Sequence, residues 1–135
     1  MMMTQLHPTE PVATFKLSVP AEQAQRFFDA VAWQLPARPL APPTLATLFR
    51  EGEYLAMQTL KTSIEQVLHG EQRYRFIKDL YADVAYEGET FINSHYERAS
   101  KSGGPTMHFY VLQTNIKDAA GETCAECFST IIVRK

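Results

Sequence analysis

Only two cysteines occur in the 135 residues, Cys124 and Cys127. They form a single C-x-x-C, so the second pair that a zinc ribbon requires is missing. They also fall inside a strand-like pattern, where an odd separation sends side chains to opposite faces and so argues against a disulfide or a chelating pair. Basic charge is neither abundant nor clustered: 13 Lys and Arg stand against 15 Asp and Glu, for a formal charge of -2. A chain without an electrostatic footprint for a phosphate backbone is not expected to bind nucleic acid. No apolar run approaches the ~20 residues of a membrane span, so no membrane partner is expected. Met1 to Pro11 carries neither a basic n-region nor an apolar stretch of signal-peptide length, which points to the cytoplasm. Internal repeats, low-complexity segments and heptads are absent as well.

What is present is enough for one domain. With 45% hydrophobic and 21% charged residues, a chain of this length buries roughly two-thirds of its unfolded surface. Residues 1–10 carry no periodic signal and are expected to be poorly ordered; residues 11–135 are expected to form the domain. Pro11 to Val19 alternates in the manner of a short strand, and Pro20 ends it. Ala24, Phe27, Phe28, Val31 and Ala32 then recur at helical spacing, which predicts an amphipathic surface helix over Ala21 to Trp33. Four prolines between Gln34 and Pro43 exclude regular structure there, and the apolar Leu35, Leu40 and Ala41 between them suggest an overhang lying on protein.

Thr44 opens a stronger helix, with Leu45, Leu48, Phe49, Gly52, Leu55, Ala56, Thr59 and Leu60 on one face. Gly52 on that face costs about 1 kcal/mol relative to Ala and is tolerated best where a strand approaches closely. Four long strands follow, at Leu68 to Leu80, Glu89 to Arg98, Thr106 to Asn115 and Glu122 to Arg134, divided by turn signals that include Ser102-Gly103-Gly104-Pro105 and Asp118-Ala119-Ala120-Gly121. The third of these strands is apolar on both faces and belongs in mid-sheet or at a dimer seam. One apolar helix followed by four antiparallel strands predicts an α+β chain of the hot-dog type, about five strands wrapped around a central helix. The partly open sheet predicts a dimer.

Ala41-Pro42-Pro43-Thr44, the apolar helix, Val67-Leu68-His69-Gly70-Glu71-Gln72, Gly88-Glu89-Thr90 and the closing Ile131-Ile132-Val133-Arg134 together resemble the N-terminal MaoC-like dehydratase domain. That domain is also called the fatty-acid-synthase-type-I-like dehydratase domain, and the resemblance spans nearly the whole chain. It implies a hot-dog domain that handles acyl thioesters of coenzyme A or acyl carrier protein, where water is added to or removed from the 2,3 position. It implies no cofactor beyond that thioester carrier, and in many members this half is the non-catalytic one. The catalytic half of such hydratases carries an Asp-x-Asn-x-x-His run in the overhang. Here Trp33 to Thr44 contains no Asp, Glu, His or Asn, and Arg38 is its only ionisable residue. Pro42 and Pro43 also remove two of the backbone donors that would polarise a thioester carbonyl at the helix's amino end, leaving Thr44, Leu45 and Ala46.

By that resemblance the substrate-binding residues are Pro43, Thr44, Leu45, His69, Gln72 and Tyr74. His69 is the most tempting substitute catalyst, although a histidine at a strand start is more often a hydrogen-bonded structural group. Glu71 lies on the same strand face as His69 and could orient it, while Gln72 falls on the other face with Tyr74 and Phe76. His95 and His108, on neighbouring strands, could line a polar patch with Tyr96 and Tyr110. Their spacing identifies no metal site, which needs three convergent ligands.

Three functions fit these residues. The first is an acyl-thioester-binding subunit of an enoyl or 3-hydroxyacyl thioester hydratase, paired with a catalytic hot-dog chain that supplies the Asp and His. The second is a non-enzymatic acyl-coenzyme A-binding homodimer. The third is a hot-dog thioesterase using a carboxylate, for which Glu51, Glu53 and Glu71 are the candidates; a polar helix face is the simpler reading of the first two.

Overall fold

A computed structural model describes residues 2–5, 10–31 and 50–134. The element order is β1 (Met2–Gln5), β2 (Ala13–Leu17), α1 (Ala21–Ala30), α2 (Glu51–Thr59), a 3-10 turn at Ile64–Gln66, β3 (Val67–Phe76), β4 (Tyr86–Arg98), β5 (Met107–Lys117) and β6 (Thr123–Arg134). The strands form one antiparallel sheet in the order β1-β4-β5-β6-β3, with β2 also on β4. Helix α2 packs across β2, β4 and β5. This is the hot-dog arrangement expected from the sequence.

The sixth strand is β1, which lies within the stretch that carries no periodic signal. Its reason is a mismatch of lengths: β2 covers only Tyr86 to Thr90 of the thirteen-residue β4, and β1 pairs with Ser94 to Glu97 of the remainder. Strand β5 is flanked by β4 and β6, so its double-sided apolar pattern reflects a mid-sheet position. The described part of the central helix starts at Glu51, where Arg50 (φ -105°, ψ 2°) is the N-cap. The predicted start at Thr44 lies outside the described residues, as does the proline-rich overhang. Strand β3 stops at Phe76, short of the predicted Leu80, because the Ile77 and Lys78 N–H groups both turn onto the Cys124 carbonyl.

Two apolar clusters sit under the sheet. One gathers Phe15, Val19, Ala24, Leu80, Tyr86, Ile116 and Ala125 around the inner side of α1. The other joins Ala56 of α2 to Leu112 and Ile131, with Met57, Leu60, Ile92 and Tyr110 around them. Gly52 faces the sheet, where an added Cβ would overlap Thr90 Oγ1 and lie 2.9 Å from Phe15 Cε1. The close approach expected of this glycine is present.

Candidate functional site

The site is set by an irregularity in β3. His69 pairs with Ile131, but Glu71 pairs with Thr130 and Gln72 with Ser129, so Gly70 is an extra residue. A bulge of this kind reverses the facial parity of everything beyond it. Cys127, Ser129 and Ile131 alternate on one face of β6, and their partners Tyr74, Gln72 and His69 therefore share that face. Glu71 points to the other side. The parity read from an unbroken strand is thus corrected: Glu71 is not placed to orient His69, and Gln72 and Tyr74 join it. An isolated glycine inside a strand pattern is the signal that marks such a bulge.

That face is the one covered by α2, because Ser129 pairs with Leu112, which packs on Ala56. Across it runs a line of polar groups. His69 Nε2 lies 3.1 Å from Oγ of the buried Ser129. The Gln72 amide donates to the Tyr74 hydroxyl. Burial raises the Tyr74 phenol above its ordinary value, helped by the nearby Cys127 thiol and the Glu53 carboxylate. Glu53 itself is only 3% exposed, and Arg50 Nε donates to its Oε2 at 3.0 Å. The two helix glutamates are therefore not equivalent. Glu51 is exposed, whereas Glu53 is buried against the sheet, contrary to the polar-face reading. Ser129 and Arg50 complete the line, and sequence alone did not single them out. Pro43, Thr44 and Leu45 lie outside the described residues.

The polar patch on β4 and β5 also differs from its sequence reading. Tyr96 stacks on Phe109 (4.6 Å between centroids) on the opposite face, while His95 stacks on Tyr110 (4.4 Å). Away from these groups, two surface depressions of about 260 and 370 Å³ flank the β5–β6 turn. They are lined by residues such as Lys16, Glu87 and Lys117, or Lys78, Tyr81 and Asp118, and contain none of the groups in the polar line.

Neither cysteine is suited to nucleophilic work. Both thiols are free and buried. Burial, with a smaller contribution from Glu53, pushes Cys127 up to about 12, and burial likewise raises Cys124. Two outcomes follow for Cys127. Native protein at pH 8 is expected to leave it unlabelled by a thiol reagent that modifies both cysteines after denaturation, because the thiolate is the reactive form. An acid raised in the folded state stays protonated there while the unfolded chain ionises, so stability is expected to fall as pH rises from about 9 toward about 12. A denaturant titration across that window checks the sign, and Cys127→Ala is expected to flatten the slope.

The described residues contain no helix long and apolar enough to cross a membrane. The chain matches the family described as FAS1-like, dehydratase domain region, over residues 9–127. Among solved structures it is similar to the HadBC (3R-hydroxyacyl-ACP dehydratase) complex of Mycobacterium tuberculosis, with a TM-score of 0.66 and 19% identity over 97% of this chain and 94% of that one. The ChsH1-ChsH2 complex of the same organism gives a TM-score of 0.61 at 10% identity, covering 93% and 84%. The MaoC-like dehydratase of Rhodospirillum rubrum gives 0.59 at 14%, covering 95% and 94%. No curated protein sequence matches significantly.

Proposed function

Given that this chain belongs to the FAS1-like dehydratase domain family, we propose that it is the acyl-thioester-binding subunit of a 3-hydroxyacyl thioester dehydratase or enoyl hydratase, acting in the cytoplasm with a catalytic hot-dog partner. The observation that carries this reading is how the polar groups on the α2 face of the sheet are engaged. Hydration of an enoyl thioester needs a base to activate water and an acid to protonate the α carbon. Here the buried carboxylate, Glu53, is held by Arg50, and His69 is held by Ser129 rather than by a carboxylate. The segment Trp33 to Thr44 supplies neither an acid nor an imidazole. His69, Gln72 and Tyr74 then serve to hold and hydrogen-bond the thioester, together with Pro43, Thr44 and Leu45. The carrier is coenzyme A or acyl carrier protein, and no other cofactor is called for.

The partner's place is the free edge of β3. Among the described residues β3 pairs with β6 alone, and it leaves Leu68 and Phe76 exposed at 47% and 42%. An unpaired ten-residue edge with apolar side chains favours the addition of another strand. Two of the similar structures, HadBC and ChsH1-ChsH2, are themselves complexes. Mixing the chain with a catalytic hot-dog chain is expected to give a heterodimer on size-exclusion chromatography and hydration activity that depends on both. In that complex Gln72→Ala is expected to raise KM for the enoyl thioester by about tenfold, the loss of one hydrogen bond to it. Glu71→Gln, on the other face, is expected to change it by less than about twofold. Equal effects of the two would remove the bulged face from the substrate path.

One observation favours a second reading. A buried carboxylate on the central helix, Glu53, suits a thioesterase that activates water, and this position replaces Glu51 and Glu71 as the group to test. Release of free thiol from an acyl-coenzyme A, abolished by Glu53→Gln, would establish that reading. Ligand binding as a homodimer with no turnover in any combination would instead leave a non-enzymatic binding protein.

A further inference from the structure

The structure brings together three ligand-capable side chains from two neighbouring strands, His95 and Glu97 of β4 and His108 of β5. Between Ile92 and Ser94 the register of β4 shifts against β5 by one residue. The shift turns His95 and Glu97 onto the face that carries Ile92, Tyr110 and His108, because His95 pairs with Tyr110 and Glu97 with His108. His95 Nε2 then lies 3.2 Å from His108 Nδ1, and His108 Nδ1 lies 3.5 Å from Glu97 Oε1. The three ligand atoms all fall within 4.8 Å of one another.

We propose that His95, Glu97 and His108 form a binding site for a borderline divalent cation of the Zn²⁺ class. Donors bound at 2.0–2.1 Å in a tetrahedron stand about 3.3 Å apart, close to both measured separations. Two contacts converge on one nitrogen, His108 Nδ1, and a single N–H there can serve only one of them well. A cation between the three atoms accepts a lone pair from each. Two imidazoles and one carboxylate suit Zn²⁺, Co²⁺, Ni²⁺ or Cu²⁺ rather than Mg²⁺ or Ca²⁺, which take oxygen ligands.

The surroundings fit an open site. The ring of His95 is held parallel to Tyr110, with 4° between planes, which restricts its rotation. Glu97 is 57% exposed and His108 19%, so an ion can enter from solvent and retain water at the remaining position. The bound ion would clamp β4 to β5 on the α2 face of the sheet.

The test uses the full chain after chelator treatment, titrated with Zn²⁺ by calorimetry and with Co²⁺ by visible spectroscopy. The expected result is one ion per chain, Co²⁺ bands in the visible of tetrahedral type, and a melting temperature raised by roughly 5–10 °C at a hundredfold excess over Kd. His108→Gln and His95→Gln are each expected to weaken binding at least about a hundredfold and Glu97→Gln about tenfold, while His69→Gln leaves it intact. The cobalt spectrum of the unaltered chain decides the matter even if a variant fails to fold. Absence of binding, octahedral-type bands, or binding that survives His108→Gln in a folded variant would overturn the proposal.

Discussion

Gly52→Ala is expected to destabilise the chain by about 2–3 kcal/mol, with a melting temperature lower by roughly 5–10 °C. In an isolated helix the same substitution adds up to about 1 kcal/mol of stability, so the two considerations have opposite signs. Packing decides between them. An added methyl would collide with Thr90 Oγ1 and Cβ and with the Phe15 ring. None of these groups has room to move: Thr90 is fully buried and its hydroxyl bonds Thr114 at 2.8 Å, and the same Phe15 ring lies over Gly88. Denaturant melts of Gly52→Ala alone, Thr90→Ala alone and the double variant measure the clash as a coupling energy, and the double is expected to be more stable than the sum of the singles implies. A stabilised Gly52→Ala would mean that the helix does not lie on the sheet at this distance.

Arg50→Ala is the second large effect, at about 2–4 kcal/mol. Removing one partner of a buried ion pair leaves the other charge without compensation, and Glu53 is 3% exposed. The side chain of Arg50 is 34% exposed, so solvent can reach the gap and the lower part of that range is expected. Replacing both partners, as Arg50→Met with Glu53→Leu, is expected to bring stability back to within about 1 kcal/mol of the starting chain, because apolar groups of similar volume have no desolvation cost to recover. If Arg50→Ala alone were silent, the Arg50–Glu53 pair would not be what holds the carboxylate under the sheet.

The parts of this architecture that depend on local pattern were legible in the sequence. The turns at Ser102 to Pro105 and Asp118 to Gly121 carry glycines that do adopt positive φ, Gly103 at 73° and Gly121 at 81°, and the apolar groups on both faces of Met107 to Leu112 left a mid-sheet place or a dimer seam, of which the mid-sheet place is observed. Gly52 on the apolar helix face pointed to the close approach that the sheet makes there. What escaped depends on register between strands distant in sequence. One extra residue at Gly70 exchanges Glu71 for Gln72 and Tyr74 beside His69, and the shift between Ile92 and Ser94 puts His95 and Glu97, rather than Tyr96, on the face that carries Ile92. Parity counting cannot anticipate either, since both follow from what the neighbouring strand offers. Glu53 was hidden for a different reason: a glutamate in a first helical turn reads as solvated until its partner Arg50 and the sheet behind it are in place.

These displacements matter because they alter which groups share the α2 face of the sheet while leaving the fold as expected. They put His69, Gln72 and Tyr74 on one face, with Tyr74 near a carboxylate already held by a guanidinium, and on the function proposed above that face holds a thioester while the acid and base come from elsewhere. The most direct measurement follows hydration of crotonyl-coenzyme A and release of free thiol by the purified chain without any partner, in one preparation. Silence in both channels, with hydration gained on adding a catalytic hot-dog chain, is the expected result. Hydration by the chain alone, abolished by His69→Ala, would contradict it and make this chain an enzyme in its own right.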